Sequence, residues 1–150
     1  MILESLLQYV HILAILTLVV FLTSEAALCR SQWMNAKVVE RLVTVDRIYG
    51  IAAGVVLATG FLRIYLGAKG EDWYWSNWLL HAKIGMFVGV GLLSIVPTLR
   101  FARWRKALRA TGALPPEEEV TKVRKLVMIQ AHIVPFIPLP AAFLARGYGA

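Results

Sequence analysis

The sequence is poor in the residues that soluble catalysis and covalent stapling use. It has one cysteine, Cys29, so no disulfide can close within the chain. CxxC, CxxCH, HExxH, GxSxG and the P-loop are all missing, so covalent c-type haem, zinc-dependent hydrolysis and nucleotide hydrolysis lack their usual signatures. Acidic residues are few, 9 against 16 Lys and Arg. No Lys or Arg precedes Arg30, so the first apolar segment lacks the positive start of a cleaved signal peptide and reads as a retained helix. No run alternates as a strand does, and no short internal repeat is evident.

Apolar residues are abundant instead. They make up 59% of the 150 residues, and mean hydropathy is +0.66. A soluble domain is nearer half apolar. A surface solvated by lipid must be as apolar as a core, which accounts for the surplus. Crossing a bilayer takes about 20 apolar residues in a helix. Four runs suffice: about 6–28, 48–66, 78–96 and 127–144. The expected fold is all-α, a single four-helix transmembrane domain.

The net charge of +7 does not imply nucleic acid, because the basic residues sit between apolar runs. Segment 29–47 carries Arg30, Lys37, Arg41 and Arg47. Segment 99–125 carries eight more, from Arg100 to Lys125. The short loop 67–77 has only Lys69, beside Glu71 and Asp72. Basic loops stay cytoplasmic, so both termini are expected on the periplasmic side of a bacterial inner membrane. Trp73, Tyr74, Trp75 and Trp78 then fall at the outer boundary, where amphipathic rings settle.

On the inner side, the third helix is expected to continue through Trp104 until Gly112, a helix stop. Pro115-Pro116 opens the fourth, with Glu117, Glu118 and Glu119 in its first turn, where the helix dipole favours negative charge. Pro97 should bend the third helix, and Pro135, Pro138 and Pro140 interrupt the fourth. Gly50 with Gly54, and Gly85 with Gly89, are spaced for close helix packing or to make room for a flat ring.

Ionisable residues inside the spans are costly, roughly 2.5–3.5 kcal/mol each on insertion scales. They are His11, Glu25, Arg63, His81, Lys83 and His132. Helix direction puts His11, Arg63, His81 and Lys83 in the outer half, and Glu25 and His132 in the inner half. His11 and Glu25 lie about 40° apart around one helix and about 21 Å apart along it. His81 and Lys83 are roughly 200° apart, so only one of them can face the bundle. Two histidines at one depth on facing helices are what a haem iron uses axially, and bundle interiors hold such cofactors. On this reading His11 and His81 ligate haem b, and Arg63 or Lys83 pairs with its propionates. The plainer reading of each is a hydrogen bond of His11 to a carbonyl, snorkelling of Arg63 and Lys83, and a pairing of Glu25 with a basic loop residue.

Two resemblances follow from these residues. Tyr9-Val10-His11-Ile12-Leu13-Ala14-Ile15-Leu16 and Trp78-Leu79-Leu80-His81-Ala82-Lys83-Ile84 resemble the J-type membrane protoporphyrinogen IX oxidases, relatives of the copper-resistance D-like proteins. That resemblance implies a haem b-associated oxidase, with His11 and Lys83 as functional positions and Lys83 as the catalytic one. Asp46-Arg47-Ile48-Tyr49-Gly50, Ala58-Thr59-Gly60-Phe61-Leu62-Arg63, Pro97-Thr98-Leu99-Arg100-Phe101 and Ala145-Arg146-Gly147-Tyr148-Gly149 resemble the signatures of a bacterial family of uncharacterised four-span predicted membrane proteins. This second likeness covers nearly the whole chain and implies no activity. The leading expectation is a haem b protein with an oxidoreductase or electron-transfer role. Its rivals are a non-catalytic accessory subunit of a larger membrane complex, or homo-oligomer, and a small transporter.

Overall fold

A computed structural model describes residues 1–149. Within them lie α1 (Ile2–Leu28), α2 (Ala36–Leu66), the short α3 (Glu71–Ser76), α4 (Trp78–Thr111), α5 (Glu117–Ile133) and α6 (Pro138–Ala145). Short 3-10 turns at Ser31–Trp33 and Val134–Phe136 link α1 to α2 and α5 to α6. Helices Ile2–Leu28, Ala36–Leu66, Trp78–Thr111 and the broken Glu117–Ala145 are each long and apolar enough to cross a membrane. The four-helix transmembrane expectation therefore holds, and the protein is a multi-pass membrane protein.

The helix ends follow from local chemistry. Asn35 accepts a hydrogen bond from the Val38 amide at 3.0 Å, and Asn77 accepts one from the Leu79 amide at 3.0 Å, each satisfying an orphan donor of a first turn. Gly112 ends α4 with φ +73°, a left-handed conformation that glycine adopts without a side-chain penalty, and its amide reaches the Leu108 carbonyl. Pro135 cannot donate to a helical ladder, and the fourth span breaks into a 3-10 turn around it. Pro97 lies inside α4, which continues as helix on both sides of it.

The second span begins earlier than its apolar run. α2 starts at Ala36 because Asn35 caps it, and its first three turns carry the charged residues Lys37, Glu40 and Arg41 beyond the apolar stretch. The fourth likewise starts at Glu117, ten residues before its apolar run.

α1 packs chiefly on α2, α4 on α5 and α6, and the contacts of α2 with α4 and of α1 with α5 close the ring. Along α1 the buried residues are His11, Ala14, Leu18, Leu22, Glu25 and Ala26, a single stripe at steps of three and four. Leu13, Leu16 and Val20 point away from the bundle, as lipid-facing residues do. Glu4, Leu144 and Ala145 all line one cavity, so the N-terminal and C-terminal segments share one end of the bundle, here the terminal end. The opposite, basic end carries Arg109 on Glu40 at 2.8 Å, joining α4 to α2, and Arg100 on Glu119 at 2.9 Å, joining α4 to α5. Glu118 takes Lys122 one turn on, as a solvated helix start would.

The glycine pairs do not pack closely within the chain. A Cβ added at Gly50, Gly54, Gly85 or Gly89 would meet nothing within 4 Å. Close approach occurs at other glycines. A Cβ at Gly60 would touch His11 Cε1 at 3.5 Å, and one at Gly149 would meet Asn77 Oδ1 at 2.6 Å.

Candidate functional site

The bundle is hollow near its terminal end. A cavity of about 530 Å³, within the size range of small-molecule sites, lies between α1, α2, α4 and the broken fourth span. Its walls are mainly apolar, among them Leu18, Val56, Phe61, Ile84, Phe87 and Val90. The small residues Gly50, Gly60 and Gly91 and the break at Pro135 leave the space unfilled.

His11, Arg63 and Lys83 all line this cavity. Each reaches it for a reason visible in its helix. His11 belongs to the buried stripe of α1. Arg63 continues the inward stripe of α2 that runs Asp46, Tyr49, Ala52, Val56 and Thr59. Lys83 is on the inward side of α4, two residues from His81, which is exposed. The His81 Nε2 donates to the Trp75 carbonyl at 2.8 Å, tying the rim of α4 to α3. The structure thus brings together three of the four residues expected at one level and turns His81 outward. Their separation of roughly 200° lets only one of His81 and Lys83 face inward, and it is the lysine.

His132 occupies the middle of the fourth span rather than a place near the basic end. The helix extends from Glu117, so the position is further from the basic end than the apolar run suggested. Its ring is exposed, and Nδ1 donates to the Met128 carbonyl of its own helix at 2.6 Å.

His11 is 4% exposed, and its ring is held by Thr59. The Thr59 hydroxyl donates to the Val55 carbonyl at 2.7 Å. Its oxygen is then free to accept, and His11 Nδ1 lies 2.7 Å away. With the hydroxyl so given, Nδ1 is the donor to Thr59 and Nε2 is left with the lone pair, an assignment from the bonding pattern. This is the arrangement by which metal-binding histidines are held in one orientation. Among the described residues neither Arg63 nor Lys83 makes an ion pair. Among the described residues, no group of three or more His, Cys, Asp or Glu side chains could hold a bare metal ion there.

Sequence reasoning passed over four buried polar residues: Asp46, Thr59, Asn77 and Gln130. The helical period carried a signal for two of them. Asp46 and Thr59 share the face of α2 that bears Arg63, at steps of three and four. Gln130 accepts from the Tyr49 hydroxyl at 3.0 Å, and only the tertiary fold shows that bond. Asn77 both caps α4 and donates to the Tyr148 carbonyl at 2.9 Å, which fastens the C-terminal Arg146-Gly147-Tyr148-Gly149 segment over the terminal end. Gly147 and Gly149 both take φ of +85° there. Lys69 adds bonds to the Leu144 and Ala145 carbonyls at 3.4 Å while lying over the Trp73 ring.

Comparison with curated proteins and with solved structures finds no match to this chain. A family model does match, over residues 3–149, which takes in all four spans, the cavity and the C-terminal clasp. The chain belongs to the family described as "Predicted membrane protein (DUF2214)".

Proposed function

We propose that this protein is a haem b-binding protein of the bacterial inner membrane with an oxidoreductase or electron-transfer role. The observation that carries the reading is His11: an imidazole clamped through Nδ1 by Thr59 and set in an apolar cavity beside two cations without ion-pair partners. These residues suit a flat, apolar group with anionic edges. Nε2 of His11 is the ligating atom, and Arg63 and Lys83 supply charge-assisted hydrogen bonds to propionates. Gly50, Gly60 and Gly91 leave wall space for a ring. A bound haem would supply one-electron redox chemistry, and the chain's part is to hold, orient and exclude water.

His11 is the one histidine of the described residues in the cavity, so the proposal needs a single protein ligand. Use of His81 as a second would require its ring to leave the Trp75 carbonyl and turn inward. Protoporphyrinogen oxidation, which the Tyr9–Leu16 and Trp78–Ile84 stretches suggest, places Lys83 beside the substrate as the catalytic residue. The basic end is cytoplasmic on this reading, because Lys- and Arg-rich loops resist translocation.

The deciding measurement is the absorption spectrum of protein purified gently from membranes. A Soret band with sharp reduced α and β bands is expected, lost in His11→Ala and retained in His81→Ala and His132→Ala. Colourless protein that survives only within a larger assembly would replace this reading with that of an accessory subunit. Loss of the band in His81→Ala would restore a two-histidine site. Reporter fusions in segment 111–116 test the orientation: a cytoplasmic reporter should be active there, and a periplasmic one silent.

A further inference from the structure

The mechanism proposed above leaves Glu25 and Asp46 unused, and they are the most unusual pair in the molecule. Glu25 lies near the end of the buried stripe of α1 and is 1% exposed, while Asp46 follows Val39, Leu42 and Val45 in that of α2 and is 7% exposed. They do not meet basic residues. Their carboxyl groups come within hydrogen-bonding reach of one another, with the Thr98 hydroxyl of α4 beside Asp46. Among the described residues no Lys, Arg or His forms an ion pair with either. Glu25 Oε2 and Asp46 Oδ1 are both buried, and neither has a donor other than what the opposing acid can provide.

Two ionised carboxylates facing each other without a cation would repel in a medium that screens poorly. A carboxylate accepts hydrogen bonds but cannot donate one, so a bond between two acids requires a proton on one of them. Among the described residues no cationic side chain is bonded to either acid. From α2, Tyr49 faces it one turn above Asp46, with its hydroxyl given to Gln130 of α5. From the end of α1, Cys29 is near Glu25, and Arg124 of α5 approaches that cysteine; the Nε atoms of Arg124 and of Arg30, next to Cys29, are buried without a hydrogen-bond partner and bond neither acid. Arg100 of α4 is engaged by Glu119.

We propose that Glu25 and Asp46 hold one proton between them and constitute a proton-binding site at the basic-end floor of the bundle. Tyr49 stands between this site and the cavity, since it faces the acids and also lines the cavity wall. The titration belongs to the pair and not to either acid alone. The site stands on Glu25 and Asp46 themselves, independently of what fills the cavity.

The test uses the full chain in lipid nanodiscs without added cofactor, so its failure is separate from failure of the haem reading. Infrared spectra at neutral pH should contain the carbonyl band of a buried protonated carboxylic acid. That band should shift when all Glu, or all Asp, is carbon-13 labelled. Glu25→Gln and Asp46→Asn should each remove it, and Glu25→Gln should fold, because an amide can donate where the protonated acid did. While the folded pair keeps its proton and the unfolded carboxylates have lost theirs, stability of the wild type should fall as pH rises, by up to tenfold in the unfolding equilibrium per pH unit; the dependence should level off once the pair itself deprotonates, and the double variant should lack it. Absence of the band from the wild type overturns the proposal, whatever the variants do. A thermal stabilisation by sodium, potassium or magnesium that both variants abolish would also overturn it, by making the pair a cation site.

Discussion

The two ends of this bundle are built from the same helices and have opposite interiors. At the basic end the space is filled. Phe101 and Trp104 of α4 are nearly inaccessible and meet edge to face, and Val39, Leu42, Val120, Val123 and Val127 close around them. At the terminal end the helices separate around a cavity whose polar groups are His11, Arg63 and Lys83. The filled end keeps a pair of acids, and the hollow end keeps two cations and an imidazole. Side-chain volume explains the first contrast. Large rings interdigitate where α4 faces α5, while glycines and a proline break occupy the corresponding positions above. In lipid no hydrophobic force pulls helices together, so packing contacts and hydrogen bonds must maintain both arrangements. A bundle can therefore be rigid at one end and receptive at the other.

The strongest way to break the contrast is to hollow the filled end. Phe101→Ala should cost about 3–5 kcal/mol, the usual loss for a buried aromatic, read from reversible unfolding in mixed micelles. Phe87→Ala at the cavity wall removes the same side chain where space already exists, and should cost clearly less. Equal losses at the two positions would mean that the cavity is not an open space in the folded protein.

Thr59→Val sharpens the description of the hollow end. It keeps the volume and deletes the acceptor of His11 Nδ1, leaving a buried donor without a partner at a cost of about 1–3 kcal/mol. On the haem proposal, the Soret band should broaden or weaken as the imidazole loses its fixed orientation. An unchanged spectrum and stability would show that Thr59 does not hold the ring.

The C-terminal clasp should contribute somewhat less. Gly149→Ala forces a side chain into a left-handed conformation, a cost of roughly 1–2 kcal/mol, and pushes its Cβ against Asn77 Oδ1. Faster proteolysis of the C-terminal segment is the expected readout. If Gly149→Ala and wild type are cleaved alike, the segment is not fastened by Asn77.

Smaller still is the effect of Arg109→Ala at the basic end. Its bond to Glu40 is bidentate, at 2.8 and 3.0 Å, but both side chains are solvent-accessible, so the shift in melting temperature should be slight and vanish in high salt. Gly54→Leu should have no measurable effect on the isolated chain, because nothing lies within 4 Å of its Cβ. Destabilisation by Gly54→Leu would reveal a partner helix on that face, from a second copy or another subunit.

Four long apolar runs, the caps at Gly112 and Pro115-Pro116 and the proline-interrupted fourth span were legible in the residues alone. Each depends on local rules: span length, missing amide donors and helix-dipole charge. So was the shared level of His11, Arg63, His81 and Lys83, because depth along a helix is set by residue number once the spans are known. What could not be read was how each helix is rotated towards its neighbours. That rotation put His81 on the Trp75 carbonyl and Lys83 in the cavity, and left Gly50 and Gly54 without a close neighbour. Glu25 looked like a partner for a basic loop residue, because basic loops adjoin its end of the helix. The fold instead sets it against Asp46, from a segment that looked like part of the loop until Asn35 began α2 twelve residues before the expected span. The sequence alone determined the membrane, the number of crossings and the level of the polar groups other than His132, because these depend on spacing within single helices. Only the tertiary structure decided which polar groups face one another and where the bundle stays hollow, because those follow from side-chain volumes on different helices meeting in space.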